Sequence, residues 1–377
     1  MKIAILRQRV AGIGGAETTL VHLARGLAAQ GHEVTVYGTE TPQAAAPVLG
    51  PGISYTPVPV WGGKAGRVLT YALNSRRLLQ RFPVQVVFSL ERTFFQQVYR
   101  AGDGCHREWL QRRARFLSPG VRLAQGFSLF HRVMLGVEAR LFAHPGLKRV
   151  IVNSRQVQEE IIRHYRLDPE RIRLVYNGLD HQRFQPLSEA ARAELLKQWG
   201  VPKGARIVLF LGSGFGRKGL GFLMEAFQGL PQESLLWVVG KGAPGPYQRL
   251  VRGEAGARVK FWGPRRDAAP FYQAASALAL PTIYDPCSNV ALEALACGTP
   301  VITTDANGAA EFLTPGVNGE ILSRPDDLAG LKSALAAYLE RGLDPQVRRA
   351  AQEAVSSLSW ERTVAQTLAV LEEAALS

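Results

Sequence analysis

Cysteine is scarce in this chain. Its 377 residues include three, Cys105, Cys287 and Cys297, which excludes a disulfide scaffold and fits a reducing compartment. None stands in a Cys-x-x-Cys pair, so a zinc ribbon is excluded too. Long apolar runs are also missing. Residues 41–63 carry no charge, but Pro42, Pro47, Pro51, Pro57 and Pro59 interrupt them. A spanning helix needs about 20 mostly apolar residues, so this stretch reads as loop and short strand. The opening MKIAILRQRV reaches Arg7 after about five apolar residues, too few for the core of a secretion signal. The chain is expected to be soluble, or to sit on a membrane without crossing it. There is no Asp-x-Asp motif and no His/carboxylate cluster at metal-ligand spacing, so neither a metal nor another cofactor is expected. No helix-turn-helix or RNP signature is present, which leaves a nucleic-acid partner with charge alone to support it.

The charge is the first positive signal. Lys and Arg number 45 against 31 Asp and Glu, a formal net charge of +14. That balance points to an anionic partner: a nucleotide, a nucleic acid or an acidic membrane surface. With 46% hydrophobic and 20% charged residues, the chain can bury sizeable cores, and its length predicts two or three domains.

Residues 2–6 (KIAIL) read as a buried strand. The turn Gly12-Ile13-Gly14-Gly15 follows, then a helix over 17–30 with Leu20, Leu23, Ala24 and Leu27 on one face. Gly31 is a C-cap, and 34–37 is the next strand. A strand–helix–strand unit implies a parallel sheet with right-handed crossovers. Residues 84–89, 149–153 and 171–176 read as further strands, and 156–165 as a helix capped by Ser154. After a polar connector from Asn177 to about Pro186 the pattern repeats. The second set has strands over 205–212, 234–240, 259–263, 277–281 and 300–304, with helices over 220–230, 268–275 and 290–297. Amphipathic helices over 327–339 and 360–376 close the chain. The expected fold is α/β: two doubly wound parallel-sheet, Rossmann-like domains, 1–178 and 179–359, facing across a cleft. The last helix, about 360–377, is expected to pack back on the first domain.

Three places carry chemistry. Gly14-Gly15 lets backbone approach a ligand at a helix N-terminus, although a tight strand-to-helix turn would use the same residues. Arg217-Lys218 lies in a Gly-rich turn at the carboxyl edge of a strand, where open α/β sheets bind ligands. A guanidinium fork beside a point charge suits a diphosphate, unless the two are simply solvated. In the segment from Tyr284 to Ala294, Asp285 lies in a loop and Glu293 in the first turns of the next helix. The helix start near Asn289-Val290 offers backbone N–H groups to an anion. A carboxylate such as Glu293 can accept two ribose hydroxyls; the alternative is a solvated helix residue.

These residues carry a resemblance. The Gly14-Gly15-x-Glu17 loop, Val152-x-Ser154, Asn177-Gly178-x-Asp180, Arg217-Lys218-Gly219 and Asp285…Asn289-Val290-x-Leu292-Glu293 occur in order over nearly the whole chain. They resemble the retaining, nucleotide-sugar-dependent glycosyltransferases of the GT-B fold, family 4. Phe215-Gly216-Arg217-Lys218-Gly219 and Ala101-Gly102-Asp103-Gly104-Cys105 are most similar to the bacterial lipopolysaccharide-core glucosyltransferase I group. The resemblance implies a UDP-hexose donor bound by the second domain and a glycan or glycolipid acceptor bound by the first. It further implies that Arg217 and Lys218 neutralise the diphosphate, that N–H groups at Asn289, Val290 and Gly15 support it, and that Glu293 holds the ribose. Asp285 takes the place where the family usually has a Glu facing the transferred sugar. Asp103 matches an acid beside the reacting carbon, and Arg265 the region that binds the base.

Two other readings stand beside this one. A nicotinamide-dinucleotide oxidoreductase would use the first Gly-rich turn with Glu40, which follows Gly15 by about 25 residues; Glu17, however, occupies the third glycine position. Nucleic-acid binding rests on charge. Residues 106–132 interleave Arg107, Arg112, Arg113, Arg115, Arg122 and Arg132 with Trp109, Phe116, Phe127, Leu129 and Phe130. This predicts docking on an anionic membrane surface, with the enzyme on the cytoplasmic face of the inner membrane. Packing of the aromatics on the first domain, or a grip on an acidic glycan, would use the same residues.

Overall fold

The strands are short apolar runs because helices cover both faces of each sheet. In the computed structural model, which describes every residue except Ile13 and Ser377, the chain forms two units. One is Met1–Gly178 with Trp360–Ser377, the other Leu179–Ser359.

The first unit holds β1 (Lys2–Leu6), β2 (Glu33–Gly38), β3 (Ile53–Pro57), β4 (Val86–Ser89), β5 (Val98–Arg100), β6 (Arg149–Val152) and β7 (Ile172–Leu174). Their order is β3-β2-β1-β4-β5-β6-β7, and every pairing is parallel. The chain runs outward from β1 to one side and returns to β4 on the other, so the β1/β4 boundary is a topological switch point. The helix Gly15–Ala29 buries Leu20, Leu23, Ala24 and Leu27 on this sheet. The helix Trp360–Leu376 adds Val364, Val370 and Leu371 to the same core. Gly26 lets the two helices meet, since a Cβ there would lie 2.5 Å from Val364. Glu373 then clamps the helix through Arg149 (2.9 Å) and Arg173 (3.0 Å).

The second unit holds β8 (Arg206–Leu211), β9 (Ser234–Val239), β10 (Val259–Gly263), β11 (Ala277–Leu280), β12 (Val301–Thr304) and β13 (Gly319–Leu322). The order β10-β9-β8-β11-β12-β13 is again all parallel, with its switch point between β8 and β11. Among the described residues no helix is long and apolar enough to cross a membrane.

The elements depart from the sequence expectation where local chemistry decides. Residues 41–63 include a helix, Pro42–Leu49, as well as the short strand β3. Pro42 sits at its first position, where no N–H is needed, and Ala44 to Ala46 favour helix. The helix expected to reach residue 230 ends at Phe227, because Gly229 and Pro231 oppose its continuation. Residues 106–132 fall into helices His106–Ala114 and Pro119–Phe127 and the start of Leu129–Ala143, with Pro119 opening the second.

Candidate active site

In the second unit, the loops after β8 and β11 face each other across the switch point. Leaving β8, the chain turns through Gly212 (φ +136°) and Gly214 (φ +76°) and enters the helix Leu220–Phe227 through Gly219 (φ +79°). Two of these positions demand glycine. A Cβ on Gly212 would lie 2.7 Å from Lys218 Cε, and one on Gly219 would lie 1.8 Å from the Pro281 carbonyl oxygen. The Arg217 carbonyl accepts the Ile283 N–H (2.9 Å) and the Thr282 hydroxyl (3.0 Å), which fixes one loop on the other.

This places both cations on one carboxylate. Asp285 Oδ2 lies 3.1 Å from Arg217 Nη1 and 3.3 Å from Lys218 Nζ. Arg217 Nη1 also donates to the Tyr284 carbonyl (2.8 Å), and Lys218 Nζ to Ser288 Oγ (3.2 Å). Lys218 and Asp285 are 6% and 7% exposed, so water screens their attraction little. Burial opposes ionisation of Asp285, but Lys218 and Arg217 outweigh it and hold the carboxyl below its usual range. Burial pushes the Lys218 ammonium down, against the pull of Asp285.

Ser288, whose Oγ accepts from Lys218, stands at the N-cap position of the helix Asn289–Ala296, so that helix N-terminus opens beside this group. N–H groups point outward at a helix start, and the helix dipole favours an anion there. Glu293 stands one turn further along, and its Oε2 accepts the Tyr272 hydroxyl at 2.7 Å. Burial drives the Glu293 carboxyl up to about 7, against opposing contributions from Tyr272, Arg183 and Lys218. Arg217, Lys218, Asp285, Asn289, Val290 and Glu293 thus gather from two loops and one helix. Arg265 is exposed, with its guanidinium 5.7 Å over the Trp262 ring, outside the ion-paired group. Tyr272, Ser288 and Arg183 join the site without a motif to announce them. The position of Ser288, just before a helix start, is the one local signal among the three.

The first unit has a second polar group at its own switch point. Arg7, which follows β1, lies 3.3 Å from Asp103 Oδ2 and 3.4 Å from Glu91 Oε1, and donates to the Leu90 carbonyl at 3.2 Å. Asp103 sits on a turn completed by Gly104 at φ +64°. Arg92 braces that turn, donating to the Gly104 carbonyl at 2.6 Å while Glu138, buried, holds its Nε at 2.7 Å. Gly14 caps the helix that starts at Gly15. The Glu17 carboxylate fills the space beside Gly14, where a Cβ would meet it at 2.4 Å. Glu40, the acid a dinucleotide would need, holds the preceding segment with one oxygen: its Oε1 accepts the Val10 and Ala11 N–H groups at 3.0 and 3.4 Å.

Comparison with known proteins agrees with the geometry. Residues 13–183 match Glycosyltransferase Family 4, and residues 205–341 match Glycosyl transferases group 1. The lipopolysaccharide glucosyltransferase WaaG of Escherichia coli K12 is 26% identical over 350 residues, covering 90% of each chain. A D-inositol 3-phosphate glycosyltransferase of Xylanimonas cellulosilytica is 28% identical over 394 aligned positions, covering 96% of this chain and 92% of its own. The crystal structure of WaaG superimposes with a TM-score of 0.82 at 23% identity, over 98% of this chain and 99% of that one. Anabaena HepE, solved in complex with UDP and glucose, gives 0.72 at 21% identity over 99% of each. Two all-parallel units, two matched glycosyltransferase domains and the WaaG fold lead to one conclusion: the chain is an enzyme belonging to the GT-B glycosyltransferases, with a family 4 domain followed by a group 1 domain.

Proposed function

We propose that the protein is a retaining, metal-independent hexosyltransferase that moves glucose or a related hexose from its UDP conjugate to a glycan or glycolipid acceptor of the lipopolysaccharide-core type. The observation that carries this reading is the pairing of Arg217 and Lys218 with a helix N-terminus at the β8/β11 switch point. During transfer the bond from the anomeric carbon to the diphosphate breaks and a bond to the acceptor oxygen forms. The acceptor's proton goes to the departing phosphate oxygen. Negative charge grows on the diphosphate, and fixed cations and a helix dipole stabilise it in place of a metal. In this reading Glu293 holds the ribose, Asn289 and Val290 support the phosphates and Arg265 serves the base. The complex of HepE with UDP and glucose and the name of WaaG support the choice of donor and acceptor class. The test is a nucleotide-sugar panel assayed for slow hydrolysis in excess EDTA. Release of UDP from a UDP-hexose is expected to persist. Complete loss in chelator, restored by magnesium or manganese, contradicts the metal-free mechanism.

The surface of residues 106–132 supports docking on the cytoplasmic face of the inner membrane. The helix Pro119–Phe127 buries none of its residues. Leu123, Phe127 and Leu129 are 65%, 74% and 68% exposed. Arg115, Arg122 and Arg132 are exposed with them. Arg112, by contrast, is held by Glu108 at 2.7 Å, and Arg113 donates to Gln125 at 3.1 Å. Each exposed cation near an anionic leaflet contributes about 1 kcal/mol. Changing Arg115, Arg122 and Arg132 to Glu is therefore expected to abolish co-sedimentation with anionic vesicles at low salt. Equal pelleting of wild type and variant, or pelleting with neutral vesicles, counts against the docking.

A further inference from the structure

The Asp285 carboxylate occupies the two cations assigned above to the donor diphosphate. One oxygen serves both, at 3.1 and 3.3 Å. Its backbone has little freedom to retreat. The Asp285 N–H donates to the Ala306 carbonyl (2.9 Å), and its carbonyl accepts the Gly308 N–H (3.0 Å). An aspartate is also one methylene shorter than the glutamate usual in the family, which keeps its charge close to that backbone. The neighbourhood is pinned in turn by Asn307, whose Oδ1 accepts the Ser288 and Ala309 N–H groups (3.2 and 3.1 Å). With Asp285 in place, Arg217 and Lys218 present one net positive charge between them rather than two.

We propose that Asp285 is a built-in counter-ion of the donor site, competing with phosphate for Arg217 and Lys218 and weakening the hold of those cations on the nucleoside diphosphate. The proposal rests on the reading of Arg217 and Lys218 as the diphosphate cations. Its chemical consequence falls on the product. A nucleoside diphosphate carries more charge at its terminal phosphate than the sugar conjugate does, so a neighbouring carboxylate repels the product more than the donor. Product release is a frequent limit on turnover in enzymes. Asp285 therefore favours clearance of the leaving group, and it offsets the mutual repulsion of the buried Lys218 and the partly exposed Arg217.

The experiment is calorimetric titration of UDP and of uridine into wild type, Asp285→Asn, Arg217→Ala and Lys218→Ala. Asp285→Asn keeps the shape and removes the charge. UDP should bind it on the order of tenfold more tightly than wild type, with the gain shrinking at high salt, while uridine binding stays unchanged. Unchanged or weaker UDP binding by folded Asp285→Asn overturns the counter-ion role and makes Asp285 a positioning group for the cations. If Asp285→Asn does not fold, Asp285→Ser carries the same comparison. UDP binding that is indifferent to both Arg217→Ala and Lys218→Ala overturns the donor-site reading itself, and the counter-ion with it.

Discussion

Lys218→Ala is expected to lower kcat by about 10²–10³-fold, the loss typical of removing one fixed donor from a developing charge. The ammonium is buried and held by Ser288 and Asp285, so it is in place before charge moves and needs no reorganisation during the step. Truncation also leaves Asp285 with Arg217 as its remaining cation partner of the pair, which turns a net attractive group into a neutral one for phosphate. KM for the donor should rise as well, because part of the interaction exists before the transition state. Steady-state kinetics with the best donor of the panel measure both. Arg217→Lys is the informative companion. It keeps the charge but loses the longer, planar guanidinium whose Nη1 meets both the Tyr284 carbonyl and Asp285, so an intermediate loss is expected. Near-wild-type turnover of Lys218→Ala would remove this residue from the mechanism.

Gly219→Ala should be the most damaging small substitution in the second unit. Its φ of +79° is strained for alanine, and the added Cβ would sit 1.8 Å from the Pro281 carbonyl oxygen. The strain alone costs about 1–3 kcal/mol. The clash is with backbone, so relief requires the whole turn to move. That turn carries Arg217 and Lys218 and hangs on Thr282 and Ile283. A clear drop in Tm with loss of transfer is expected, read by thermal unfolding and the donor assay. Gly216→Ala is the control. A Cβ there meets no more than Tyr247 Oη, at 3.6 Å, so the substitution should change stability by less than about 1 kcal/mol. Equal behaviour of the two variants would contradict the geometry of the turn.

The residues differ in how far the sequence announces them. β1 (KIAIL) and β8 (RIVLFL) are legible because both faces are buried and the chain reads as unbroken apolar runs between glycine turns. The three-residue β5 and the edge strand β13 are not, since neither has enough length to show a period. The helix Lys64–Leu79 escapes a reading by pattern because its buried face includes Asn74 and Ser75. Asn74 donates to the Pro59 carbonyl (2.8 Å), a partner that only the tertiary fold supplies, while Ser75 donates back to the Tyr71 carbonyl one turn earlier (2.6 Å). At the site, Arg217, Lys218 and Glu293 stand out by type and position. The ion pairs of Asp285 do not, because they join loops after two non-consecutive strands that become neighbours through sheet order. Tyr272 is invisible for the same reason: its hydroxyl matters through Glu293, on a different helix. Asp103 is legible from its flanking glycines, whereas Arg7 and Arg92, which hold it, look like ordinary charges in the sequence.

The central claim is that the nucleotide end of the donor lies on the second unit's switch point. Hydrogen exchange of the amides, followed by mass spectrometry with and without saturating UDP-glucose in EDTA, tests it most directly. The account predicts slowed exchange in the 212–219 loop and at 289–293, lost in Lys218→Ala. Protection confined to residues 14–17 of the first unit, with 212–219 and 289–293 unchanged, would contradict it.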